Sequence, residues 1–168
     1  VVQVVAFSQY LKPLTQGTRD KLNALRQRFD LPPLQDLAMA LMPGDPIIAG
    51  WPEQRFGEYA GALYGILEDE PKATLQDFVA AIDYTVAKVG IDHVGISSDF
   101  NEGGGVQGWD NVGEVRNVTA ELIARGYSEA DIAKLWGGNF MRVWAQVQKA
   151  AQPVASLQSA SSVVEAQP

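Results

Sequence analysis

The chain has 168 residues, 46% of them hydrophobic, enough for one domain with a sizeable core and too few for two clear ones. Its formal net charge of −7 argues against a nucleic-acid or anionic-membrane partner, both of which need a basic face. It contains no Cys, which excludes a disulfide framework, a thiolate metal site and a cysteine nucleophile, and no apolar run is long enough to span a bilayer.

Val1 to Phe7 is rich in β-branched residues and predicts a strand buried on both faces, as in parallel sheets. Because the chain opens on Val1 within a strand, it is expected to be a piece of something longer. Ser8 to Thr15 predicts a loop carrying Tyr10. A helix is expected from about Thr18 to Phe29, with Leu22, Leu25 and Phe29 on one stripe, ending before Pro32 and Pro33. Leu34 to Met42 predicts a short apolar helix and Pro43 to Pro46 a turn. From Glu53 to Glu68 a further helix carries Gly57, Gly61 and Gly65 at every fourth position. These glycines fit a helix-contact face, or a weak helix in which packing tolerates them; the second is favoured because each costs about 1 kcal/mol in a helix.

Thr74 opens the best-signalled helix: it can cap, Asp77 stands three residues on, and Gly90 marks the end. Phe78, Ala81, Ile82, Val86 and Val89 form its apolar stripe. Ile91 to Ile96 predicts a short buried strand, followed by Ser97-Ser98-Asp99-Phe100 and the glycine loop Gly103 to Gly105. Gly113 to Arg125 predicts a helix with Val115, Val118, Leu122 and Ile123 inward. Ser128 opens another that ends at Gly137-Gly138, and Asn139 is expected to cap a last helix from Phe140 to about Ala150, with Val143, Trp144 and Val147 apolar. Residues 151–168 lack aromatics and predict a disordered tail. The order of strand, helices, strand, helices gives an α/β, helix-rich fold with parallel pairing. Two such strands alone would leave apolar edges, so the chain is expected to fold poorly by itself.

Asp99 is the leading candidate for chemistry, because the carboxyl ends of buried strands are where α/β proteins place their reactive groups. From position alone it serves equally well as a turn-capping Asp. His93, the sole histidine, could be a ligand or base, but the start of a strand favours a structural role. Gly103 to Gly105 lacks the spacing of a phosphate loop and reads better as a lid or turn. Glu102, Asp110 and Glu114 match no cation loop and read as solvated acids. Tyr10 follows the first strand and could hold a substrate carboxylate or carbonyl, or simply pack at the rim. Trp109, Trp136 and Trp144 read as core and rim packing. No convergent metal ligands are present, so no metal-binding residue is assigned in this chain.

Three segments occur together in order: Asp92-His93-Val94-Gly95-Ile96-Ser97-Ser98-Asp99-Phe100, Thr119 to Ile132, and Gly137-Gly138-Asn139-Phe140-Met141-Arg142-Val143-Trp144. With them the chain resembles the carboxyl-terminal part of the membrane (renal-type) dipeptidase family, of the amidohydrolase superfamily. The likeness covers about residues 1–11 and 74–149. It implies strands seven and eight of a (β/α)8 TIM barrel with their helices, residues 1–150 forming that part. It further implies a metalloprotease-type hydrolase of dipeptides, including some with a D-residue at the carboxyl end, that uses two zinc ions. Asp99 matches the family's acid after strand eight, whose implied role is to hold the substrate amino group and move a proton to the leaving amine. Tyr10 resembles a substrate-binding tyrosine after strand seven, with the spacing shifted by about one residue. The family's zinc ligands lie upstream of anything matched here, so the implied partners are a dipeptide, the remainder of the barrel and, as an open option, a second copy in a homodimer. The alternatives are a non-catalytic remnant or interaction module, or another amidohydrolase-type activity.

Overall fold

The computed structural model describes residues 1–35 and 48–164, with 152–164 as backbone alone. It divides into two compact units, Val1–Phe7 with Thr74–Pro168, and Ser8–Ala73.

In the first unit, β1 (Val2–Val5) pairs in parallel with β2 (Val94–Ser97), in the register Val2↔Val94 to Val5↔Ser97. The parallel pairing expected from the helical crossover is therefore present. The second strand starts three residues later than the sequence suggests. Ile91–His93 forms a 3-10 turn, closed by the His93 N–H donating to the Gly90 carbonyl at 3.1 Å.

Helix α4 (Leu75–Val89) begins with the capping box read from Thr74 and Asp77: each side chain meets the other residue's backbone N–H. It buries Leu75, Phe78, Val79 and Ile82, while Val89, expected inward, is exposed. Helix α5 (Val115–Ala124) buries Val118 and Leu122, an i, i+4 pair; Ile123 lies about 100° further round and points outward. Helix α6 (Glu129–Ala133) is capped by Ser128, whose Oγ accepts from the Asp131 N–H.

Arg125 and Tyr127 fasten the two neighbouring helices. The Arg125 guanidinium donates to Asp83 at 2.6 Å, Glu121 at 2.8 Å and the Gln76 carbonyl at 2.9 Å. The Tyr127 hydroxyl donates to Asp83 at 2.8 Å. Burial, followed by that hydrogen bond, raises the Tyr127 pKa well above the usual phenol range.

The expected stop at Gly137-Gly138 is instead a π-helical turn (Lys134–Gly138) with a local kink at Gly137, and the chain runs straight on into α7 (Asn139–Val164). The backbone of α7 stays helical well past Ala150, through most of the segment read as a tail; its Ala, Gln and Leu residues are good helix formers. Asn139 is not a cap. Its own backbone is helical, and its buried amide donates to the carbonyls of Ile91 at 2.6 Å and Val94 at 2.9 Å. Trp144 and Val147, expected to be apolar contacts, are more than half exposed.

In the second unit, α1 (Ser8–Leu11) is a single turn where a loop was expected. Helix α2 (Gln16–Arg28) is capped by Thr15, and α3 (Glu53–Glu68) has the bounds read from the sequence. Leu22, Leu25 and Phe29 of the α2 region pack with Tyr59, Leu63 and Leu67 of α3. A Cβ built at Gly57, Gly61 or Gly65 meets nothing within 4 Å, so among the described residues these glycines form no helix contact. The Glu70 carboxylate accepts from the Thr15 N–H at 2.7 Å, the Thr15 hydroxyl at 2.9 Å and the Thr18 hydroxyl. Most of the helix and turn expected between Leu34 and Pro46 lies outside the described residues.

Candidate active site

Beyond Ser97 the chain leaves β2 and turns sharply. Asp99 lies two residues past the strand with φ 57° and ψ 32°, the left-handed region that few side chains other than Asn and Asp occupy readily. It precedes a 3-10 turn, Phe100–Glu102, yet its side chain makes no capping bond there. The carboxylate is exposed and forms no hydrogen bond or ion pair with any described residue. The capping alternative is therefore not the arrangement found. What holds the residue is its backbone: the Asp99 carbonyl accepts from the Glu102 N–H at 3.1 Å and the Gly104 N–H at 2.8 Å. The left-handed backbone is thus fixed by main-chain bonds while the carboxylate is left available.

The glycine loop is a fixed turn. The Gly105 N–H donates to the Ala6 carbonyl at 2.7 Å and Gly105 bridges Phe7 in parallel, continuing the sheet. Val106 and Trp109 exchange backbone hydrogen bonds at 3.0 and 2.9 Å, and the Leu75 N–H reaches the Gln107 carbonyl at 2.9 Å. Trp109 is buried among the rings of Phe78, Phe100 and Trp136. With the Gly104 and Gly105 amides both committed to backbone carbonyls, they are not available to cradle a phosphate.

The other candidates fall elsewhere. Tyr10 stands in α1, in the other unit, with its side chain 60% exposed. His93 is exposed in the 3-10 turn before β2, at the opposite end of that strand from Asp99. Beside it, a hydrogen bond from Lys134 and that residue's charge hold the Asp92 carboxyl below its usual pKa; the Nζ to Oδ1 distance is 2.9 Å. Glu114 accepts from the Asp110 N–H at 2.7 Å, a local turn contact. Among the described residues no three His, Cys, Asp or Glu side chains gather to hold a metal ion. With its one histidine at the far end of β2, this set does not fit a zinc site. Two residues that shape the region were read for other roles, Asn139 at the entry to β2 as a helix cap and Gly104 beyond its exit as part of a lid or turn. The Gly-Gly-Asn motif and the glycine triplet were visible, but Asn139 bonds 48 and 45 residues back, and the contacts of Gly104 depend on how the chain doubles back onto Ser98 and Asp99.

The structure resembles that of the probable dipeptidase PvdM from Pseudomonas aeruginosa, with a TM-score of 0.81 and 75% sequence identity, over 89% of this chain and 37% of that one. Dipeptidase tcpJ of Claviceps purpurea is 34% identical over 85 residues, which is 50% of this chain and 20% of the relative. Dipeptidase ataJ of Aspergillus terreus is 39% identical over 84 residues, 49% of this chain and 20% of the relative. The chain thus spans only a minor part of the length of each. The model of the membrane dipeptidase family (peptidase family M19) matches residues 1–158. The chain belongs to the membrane dipeptidase family.

Proposed function

We propose that this chain is the carboxyl-terminal part of a zinc-dependent dipeptidase, supplying strands seven and eight of a (β/α)8 barrel and the acid that works on the substrate's nitrogen atoms. The observation that carries the reading is the Asp99 carboxylate, unpaired among the described residues and held by its backbone past the end of a parallel strand. A dipeptide is a zwitterion with an ammonium group next to the scissile bond. A carboxylate at this place pairs with that ammonium and fixes the peptide carbonyl for attack. As water adds to the carbonyl carbon, Asp99 accepts its proton and passes it to the peptide nitrogen. The C–N bond then breaks and the amine leaves neutral. In this reading the zinc ligands lie outside this chain, and β1 and β2 pair at their outer edges with the barrel's remaining strands. The half-exposed Val2 is consistent with such an open edge.

The test is zinc content together with hydrolysis of alanyl-D-alanine and alanyl-L-alanine by the full-length polypeptide carrying this sequence. Stoichiometric zinc, turnover, and loss of that turnover in Asp99→Asn are expected. Asparagine keeps the size and the tolerance of the left-handed backbone, so the loss reports on the carboxylate. Zinc-loaded protein without turnover, or an Asp99→Asn variant as active as the parent, would refute the proposal.

A further inference from the structure

The geometry points to Gly104 as a positioning residue for Asp99, an inference that rests on the proposed role of that carboxylate. The Asp99 carbonyl receives two N–H groups, and the nearer, at 2.8 Å, belongs to Gly104. For that bond to form, the chain doubles back so closely that a Cβ on residue 104 would lie 2.1 Å from the Ser98 carbonyl oxygen and 2.6 Å from that of Asp99. Ordinary van der Waals contact for such atoms is 3.4–4 Å, so a methyl group would displace backbone by about 1 Å. Gly104 has no positive φ, so its requirement is the close approach alone and not backbone conformation.

The neighbouring glycine differs in kind. A Cβ at Gly105 would meet a side-chain atom, Asp110 Oδ1, and its φ of 129° already disfavours any side chain on its own backbone. At Gly104 the obstacles are the carbonyls that flank the Asp99 backbone itself. Nor can the rest of the loop yield easily, since Gly105 is bonded to Ala6 on one side and Val106 to the buried Trp109 on the other. The displacement therefore falls on Ser98 and Asp99, the residues whose dihedrals aim the carboxylate.

The test is kinetic, in the full-length polypeptide carrying this sequence, with the two alanyl dipeptides as probes. The variants are Asp99→Asn, Gly104→Ala, the double variant, and Gly126→Ala as a control. Gly126 has φ 88° and nothing within 4 Å of a built Cβ, so its substitution strains only its own backbone, away from Asp99. Gly104→Ala is expected to keep native circular dichroism and lose about 100-fold in kcat, the scale of an ångström's misplacement. It is also expected to add nothing to the loss in Asp99→Asn, because it acts only through that carboxylate. Gly126→Ala is expected to melt earlier and keep the parent kcat.

If Gly104→Ala keeps kcat as the control does, or lowers the residual rate of Asp99→Asn by the same factor as the parent rate, Gly104 is merely structural. The inference then fails while the role of Asp99 stands. If Asp99→Asn is as active as the parent, the reading beneath the inference fails first. Amide exchange in the unmodified protein gives a test independent of any variant's folding. The Gly104 N–H should be protected by the Asp99 carbonyl, and exchange at the rate of a free loop amide overturns the proposal.

Discussion

Asn139 offers the sharpest test of how β2 is held. Its amide is 2% exposed and donates to two main-chain carbonyls, Ile91 at 2.6 Å and Val94 at 2.9 Å. Asn139→Ala deletes both bonds, each contributing about 1 kcal/mol net, and strands the fully buried Val94 carbonyl at a further cost of about 1–3 kcal/mol. With the Ile91 carbonyl partly open to water, the expected loss is about 2–4 kcal/mol. Asn139→Asp is the same size but turns acceptor oxygens toward acceptor oxygens, so a charged form there should cost about 3–5 kcal/mol. Burial and the facing carbonyls would raise the pKa of that carboxyl in the folded state above its unfolded value of about 3.9. Stability is then retained below that unfolded value, where the acid O–H can donate to one carbonyl, and is lost as pH rises through the folded pKa. The assay is thermal unfolding by circular dichroism between about pH 3 and 8, with parent and variants in the same polypeptide, read as the difference in stability. An Asn139→Ala variant within about 0.5 kcal/mol of the parent, or an Asn139→Asp variant whose deficit is flat with pH, would refute the reasoning.

Other residues give independent tests. Burial alone would raise the Glu70 pKa, but hydrogen bonds from Thr18 and Thr15 and the nearby Lys12 charge outweigh it and lower the value. A depressed folded pKa contributes stability above the unfolded value of about 4.5 that is lost as pH falls through the folded one, so Glu70→Gln should flatten the acid limb of a stability–pH curve. Tyr127 behaves in the opposite sense: its raised pKa gives stability that is full below the unfolded value near 10 and lost as pH rises. Tyr127→Phe should remove that alkaline limb and, by breaking the bond to Asp83, lower stability by about 1 kcal/mol at pH 7 in urea titration. Gly61→Ala in α3 should raise stability by about 0.5–1 kcal/mol, since nothing lies near the added methyl; a decrease in melting temperature would revive the helix-contact reading.

What was legible in the sequence was local. The capping box of α4 involves residues three apart, and both partners stand in the string. Helix α3 was legible over Glu53–Glu68 despite its three glycines. The parallel pairing of β1 and β2 followed from β-branched runs separated by helices. What was not legible depended on partners far along the chain. Asn139 looked like a cap because it follows two glycines, yet its amide bonds 48 and 45 residues back, at Ile91 and Val94. Tertiary capture of those carbonyls accompanies a strand that starts at Val94 where the hydrophobic run starts at Ile91. Likewise, the apolar stripe of α7 gave no sign of being exposed, since periodicity marks a face without saying what covers it. For Asp99 position alone left catalysis and turn capping equal, and in the structure its side chain makes no capping bond.

The residues that carried the family likeness divide by task. In the stretch from Thr119 to Ile132, Glu121, Arg125 and Tyr127 bind α5 to α4. In the stretch from Gly137 to Trp144, Asn139 grips the entry of β2, and Arg142 donates to the Asp92 carbonyl at 2.6 Å. The segment ending at Phe100 includes Asp99, the carboxylate proposed for chemistry. One segment therefore joins α5 to α4, another seats the entry of β2, and the third carries the residue at its far end. This division makes a kinetic forecast. Asn139→Ala loosens the strand at Val94, five residues before Asp99, while the Gly104 and Gly105 contacts that aim the carboxylate remain in place. Its folded fraction should keep kcat for a dipeptide within about threefold of the parent while its melting temperature falls by several degrees. A kcat loss as large as that of Asp99→Asn, in protein shown to be folded, would mean that the carboxylate is aimed from the entry of the strand and not from the loop beyond it.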